Sequence, residues 1–357
     1  MSVRDCSVVW RAVIRSLYLL LMAIPLLANE RNTQVIADPV YLEPQSLVRI
    51  DGERRLNLCC TGKGRPTVVF DSSLGGGMMD WALVQPQVSA KTRACSYDRA
   101  GLGFSDPSPE PRTSARMVED LHRLLRAAHI EPPYVLVGHS LGGMNIKLYA
   151  ETHLSEVAGL IFVDPSHEDL AKKSWALNPE YAKQNARFMD YLHECLKAKP
   201  SDFIPGSKLR ESCGTPPNGS RFSPAINALQ LERSTRPGYL QAWISEQENV
   251  WTASADELRA AHRSLGDIPL VVLTHEPLPR QASETQEMRD AQNQVRTELH
   301  TEIAGMSTRG SIRTVKNSGH FFQLDQPEEV TGAILEVVHA VNANAPRGGV
   351  HPAVLKP

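Results

Sequence analysis

The chain has 357 residues, 41% of them hydrophobic and 22% charged, enough to bury one large core and an accessory layer. A net charge of −2 offers no electrostatic footprint for nucleic acid. There is no internal repeat, and no Cys-x-x-Cys or His-Glu-x-x-His spacing points to a bound metal.

At the N-terminus Arg4, Arg11 and Arg15 lead into the apolar run 16–27. A basic start followed by about a dozen apolar residues fits a secretory signal and is short for a spanning helix. Residues 1–37 are therefore expected to be a signal peptide with a short linker, and the protein to be secreted or periplasmic. The alternative is an uncleaved membrane anchor.

Residues 46–50 and 55–60 flank Asp51-Gly52, a two-residue turn signal, so the folded part is expected to open with a hairpin. The runs 67–70, 93–97, 134–137 and 159–163 are short and apolar, as in strands buried on both faces. Between them Met117, Leu121, Leu124, Leu125 and Ala128 form a helical stripe. Alternating strand and helix predict an α/β fold, a mostly parallel central sheet with helices on both faces. Across 166–266 the alternation stops, and helix formers accompany Trp175, Phe188, Met189, Tyr191, Leu192, Tyr239, Trp243 and Trp251. Strands resume at 268–273 and 310–315. The expected division is a core from 38–165 and 267–345, a helical insertion at 166–266, and a tail at 346–357.

Gly138-His139-Ser140-Leu141-Gly142 lies between the strand-like run 134–137 and the helix-like run 144–150. A strand turning sharply into a helix holds a serine on a strained elbow with its hydroxyl clear of the sheet. The flanking glycines remove Cβ atoms that would clash in so tight a turn. Such a hydroxyl needs a histidine to accept its proton and a carboxylate to orient that histidine. His320 follows the last strand in Lys316-Asn317-Ser318-Gly319-His320, before a helix opening near Pro327, where it can swing over the strand ends.

The chain resembles the α/β-hydrolase superfamily in its serine esterase, lipase and haloperoxidase-like branch. Four stretches carry the likeness across residues 46–343: Phe70-Asp71-Ser72-Ser73-Leu74-Gly75-Gly76 with Asp80-Trp81, Tyr97-Asp98-Arg99-Ala100-Gly101 through Asp106, Gly138 to Gly143, and Ser318-Gly319-His320. The resemblance implies a Ser, acid, His order along the chain. The usual family position for the acid, close to Leu278, holds no aspartate. A minority of the superfamily takes the acid from the preceding strand, which here ends on Asp164-Pro165, and proline fixes the exit direction. Asp164 is thus the expected acid and Glu276 the alternative. The oxyanion donors are expected to be the N–H groups of Leu141 and Leu74, the latter beside the Gly75–Gly77 run. By the same resemblance 166–266 is a lid roofing the serine, its aromatics suiting an apolar acyl or alcohol group. Asp98 and Arg99 are read as a structural ion pair.

Of the six cysteines, Cys195 and Cys213 flank a loop in the insertion, a spacing that suggests a disulfide in an exported protein. Cys60 and Cys95 fall on strands that neighbour each other in this superfamily, either paired or as buried thiols, which leaves Cys59 odd. The sequence thus predicts a serine hydrolase cleaving carboxylic esters of small molecules, without a cofactor. An acyltransferase or perhydrolase with the same triad, or a non-catalytic ligand-binding protein of this fold, is the alternative reading.

Overall fold

The computed structural model describes residues 34–344, apart from 205, 215–220 and 282–283. The expected signal or anchor run at 16–27 and the tail lie outside the described residues. No helix among the described residues is long and apolar enough to cross a membrane.

Eight strands form one sheet: β1 (Leu47–Asp51), β2 (Arg54–Thr61), β3 (Thr67–Asp71), β4 (Ala94–Tyr97), β5 (Tyr134–His139), β6 (Val157–Val163), β7 (Leu270–His275) and β8 (Gly310–Val315). Their order is β1-β2-β4-β3-β5-β6-β7-β8. The opening hairpin is antiparallel and β2 pairs antiparallel with β4, while every later pairing is parallel. The helices are α1 (Gln85–Ser89), α2 (Ser114–Ala127), α3 (Leu141–Thr152), α4 (Leu170–Leu177), α5 (Pro179–Lys197), α6 (Lys208–Cys213), α7 (Pro224–Ser234), α8 (Pro237–Asn249), α9 (Ala253–Ala261), α10 (Gln286–Gly305), α11 (Phe322–Asp325) and α12 (Pro327–Asn344).

The parallel strands read as continuous apolar runs because both faces are covered. Side chains alternate along β5, so Leu136 belongs to a cluster with Met117, Leu121 and Leu124 of α2 and Met144 and Leu148 of α3. Val135 and Val137 point the other way, into a cluster with Val88 of α1 and Ile334 and Val337 of α12. The predicted stripe on α2 is therefore the face it buries.

Between β6 and β7 the chain runs through α4 to α9, whose own apolar cluster gathers Phe188, Leu192, Leu240, Trp243 and Ile244 around Leu102 of the core. A disulfide joins Cys195 at the end of α5 to Cys213 at the end of α6. A second joins Cys60 to Cys95, which face each other across β2 and β4, and Cys59 is free and buried. Ile36, within the expected linker, pairs its backbone with Arg221 and Ser223 and is buried beside Phe222 and Ile226.

One expectation fails. Asp98 and Arg99 do not pair, because consecutive side chains leave the chain in different directions and each finds other partners. Asp98 accepts from the Met78 N–H at 2.9 Å, the Phe104 N–H at 3.1 Å and the Asn57 amide at 2.9 Å. Arg99 instead binds Asp71 at 2.8 Å and Glu246 of α8 at 2.7 Å, joining the sheet to the insertion.

Candidate active site

Parallel topology places the carboxyl ends of β3, β5, β6, β7 and β8 along one edge, and the predicted site residues come from that edge. Ser140 sits between β5 and α3 with φ 53° and ψ −116°, a backbone that a side-chain-bearing residue holds only at a cost of about 1–3 kcal/mol. The turn is too tight for larger neighbours: a Cβ on Gly138 would lie 2.3 Å from the Gly142 carbonyl oxygen, and one on Gly142 would lie 2.3 Å from that of Asp71. The Ser140 N–H donates to the Val163 carbonyl at 3.2 Å, while its carbonyl accepts from Gly143 at 2.9 Å and Ser166 at 3.0 Å. These bonds secure the elbow against the β6 exit.

Asp164 follows β6 with φ 39°, and its Oδ2 accepts from Nδ1 of His320 at 2.6 Å. The carboxylate has two further neighbours, Nη1 of Arg296 at 3.2 Å and Nε2 of His275 at 3.9 Å. Burial alone would raise its pKa. Attraction to His275 and Arg296, with the His320 hydrogen bond, outweighs that and holds the carboxyl well below the usual range. His320 is steadied from behind, where Nε2 of His139 donates to its carbonyl at 2.8 Å. Nε2 of His320 is buried and has no hydrogen-bond partner among the described residues. The Ser140 hydroxyl meets Ser166 Oγ at 3.4 Å; no hydrogen bond joins it to the imidazole.

Ser140, Leu141, Leu74, Asp164 and His320 all line one cavity of about 260 Å³. Trp175, Phe188, Trp243 and Trp251 supply its aromatic wall from the segment between β6 and β7, while Met189, Tyr191, Leu192 and Tyr239 do not line it. In the loop after β3, the Gly75 N–H donates to Glu246 at 2.8 Å and the Gly75 carbonyl accepts from Tyr239 at 3.0 Å. Arg99 donates to the carbonyls of Ser72 at 2.8 Å and Ser73 at 2.6 Å, so this loop is held from both sides. Glu276 is exposed and accepts from the Asn317 N–H at 3.2 Å, apart from the Asp164–His320 pair.

Sequence reasoning missed the surroundings of Asp164. His275 was visible only as part of the strand end, and Arg296 lies within a polar helix whose spacing gives no sign of a cavity. His139, His275 and His300 are all held below the ordinary histidine range, chiefly by burial, His300 at about 4. The Thr274 hydroxyl donates to Nδ1 of His300 at 2.9 Å, and Nε2 donates to the Pro165 carbonyl at 3.1 Å, an arrangement that suits the neutral ring. On unfolding these rings regain an ordinary pKa near 6.5 and take up protons, so the unfolded state binds more protons as pH falls below that value. Urea unfolding is therefore expected to show stability falling from about pH 6.5 towards 4. His300→Gln should make that decline shallower by about one proton. An unchanged slope would count against the neutral ring.

Among the described residues, His122, His153 and Glu156 form the one group of three metal-capable side chains whose ligand atoms lie within 4.8 Å of one another. His122 already meets Glu156 at 3.1 Å, its ring stacks on His153, and none of the three lines the cavity.

A family model described as "Alpha/beta hydrolase family" matches residues 68–333. An uncharacterized protein of Bacillus subtilis, YqjL, is 25% identical over 277 residues, 77% of this chain and 85% of that protein. An AB hydrolase superfamily protein of Gibberella zeae is 25% identical over 291 residues, 78% of this chain and 87% of that one. Among solved structures, the epoxide hydrolase CorEH has a TM-score of 0.56 at 17% identity, covering 83% of this chain and 98% of its own. A presumed lipase of Acinetobacter baumannii has a TM-score of 0.59 at 19% identity, covering 86% and 94%. Likenesses this distant in sequence speak for the fold alone. With three quarters of its length under the family model, the chain belongs to the alpha/beta hydrolase family.

Proposed function

We propose that the protein is a serine hydrolase that cleaves carboxylic esters through an acyl-enzyme. The observation that carries this reading is the 2.6 Å bond from His320 to Asp164, with the far imidazole nitrogen unpartnered in the cavity where Ser140 stands. Ser140 Oγ attacks the ester carbonyl and passes its proton to Nε2 of His320. The tetrahedral oxyanion is received by the N–H groups of Leu141 and Leu74; Gly75, the next amide in that loop, is engaged by Glu246. Collapse expels the alcohol, which takes the proton from His320. Water, deprotonated by the same nitrogen, then releases the acid and restores Ser140.

The helices between β6 and β7 act as the lid, and their tryptophans supply an apolar wall for the acyl or alcohol group. Two disulfides support maturation in an oxidising compartment, in keeping with the expected export. A fluorophosphonate should label the protein once per chain, on Ser140, in step with loss of hydrolysis of a nitrophenyl ester. Labelling that persists in Ser140→Ala would overturn the reading.

A further inference from the structure

One face of α10 turns towards the cavity and carries Arg289, Gln292, Asn293 and Arg296. Three of the four are engaged in holding the protein together. Arg289 is buried against Glu284, which also accepts from Tyr181. Gln292 donates to the Ser174 carbonyl at 3.0 Å. Asn293 both accepts from and donates to the Leu278 backbone, each at 3.0 Å.

Arg296 differs. Only its Nη1 is engaged, with Asp164 at 3.2 and 3.4 Å, and its Nε and Nη2 have no partner among the described residues. The side chain is 23% exposed while lining the same cavity as Ser140 and His320. A guanidinium edge with two parallel N–H groups matches a carboxylate in shape and charge.

We propose that the ester substrate carries a carboxylate, which pairs with the free edge of Arg296 while its apolar portion lies against the tryptophan wall. This rests on the ester-hydrolase reading and names the substrate class for the same site.

Asp164 faces Arg296 on one side, and Arg289 is paired with Glu284. When His320 takes the serine proton, its new positive charge faces Asp164, which favours it, and Arg296, which opposes it. A substrate anion seated on Arg296 offsets that opposition.

The test uses the full chain and matched pairs of esters at pH 7.5. One pair is 4-nitrophenyl hydrogen glutarate and its methyl ester, with the charge on the acyl side. The other is 4-(butanoyloxy)benzoate and its methyl ester, with the charge on the alcohol side. In at least one pair the anionic member should have the higher kcat/KM, by roughly ten- to a hundred-fold. Arg296→Gln should abolish that preference, and Arg296→Lys should restore part of it through charge without the fork.

The readout is the ratio within a pair, so any effect of Arg296 on Asp164 common to both members cancels. A wild-type preference for the neutral member in both pairs would overturn the proposal, as would a ratio unchanged in Arg296→Gln. Failure to hydrolyse any of the four, together with no fluorophosphonate label on Ser140, would instead remove the ester-hydrolase reading beneath it.

Discussion

Asp164→Asn is expected to lower kcat on an activated ester by about four powers of ten, while Glu276→Gln should leave it within a factor of about three. The carboxylate at 164 accepts from Nδ1 of His320 at 2.6 Å, which fixes the proton there and leaves Nε2 as the bare ring nitrogen. An amide in its place can present its NH2 group to Nδ1, which favours the tautomer with a proton on Nε2, the nitrogen that must act as base. It also removes the negative charge that faces the imidazolium in the transition state. Glu276 is exposed and engaged with the Asn317 backbone, so neutralising it changes only a loop contact. Both variants should be compared for kcat, with urea midpoints confirming that they fold. Collapse of Glu276→Gln alone would transfer the role of acid to Glu276.

The parts of the site legible in the sequence are those built from short stretches of chain. The elbow needs only β5, five residues and α3, so glycine spacing and flanking patterns reveal it. His320 is visible because a last strand, a Ser-Gly pair and a coming helix announce a loop over the sheet edge. The partner of His320 is a different kind of problem, since 156 positions separate it from Asp164 and only the parallel pairing of β6, β7 and β8 brings them together.

Sequence reasoning leaves Glu276 open there because position in the chain says nothing about which carboxylate the imidazole meets. The Asp98–Arg99 reading failed for the related reason that adjacency is a poor guide to pairing. Arg99 reaches Glu246, 147 positions away, on a helix whose orientation no local pattern sets. The alternation of strand and helix, by contrast, follows directly from burial on two faces, and the sheet has the predicted form.

The pairing of Arg99 leads to the largest stability effect expected in the molecule. Arg99→Met should cost the folded state about 3–5 kcal/mol, and Glu246→Gln distinctly less, about 1–3 kcal/mol. The guanidinium is fully buried between Asp71 and Glu246, themselves buried, and it also satisfies the Ser72 and Ser73 carbonyls. Removing it strands two carboxylates inside the protein. Removing the charge of Glu246 weakens its bonds with Arg99 and with the Gly75 N–H but leaves Arg99 with Asp71 and both carbonyls.

The pH dependence separates this explanation from simple loss of packing. Burial is the largest influence on Asp71 and pushes its pKa up, with Arg99 the chief opposing pull. Without that pull, the folded-state pKa rises further above the unfolded value, so the charge penalty is present at neutral pH and relieved as pH falls through the folded pKa. The deficit of Arg99→Met relative to the wild type, measured by urea unfolding, should therefore shrink between pH 7 and pH 5. A deficit that stays constant over that interval would show that the cost is volume rather than charge, and the sheet-to-insertion ion network would lose its assigned role.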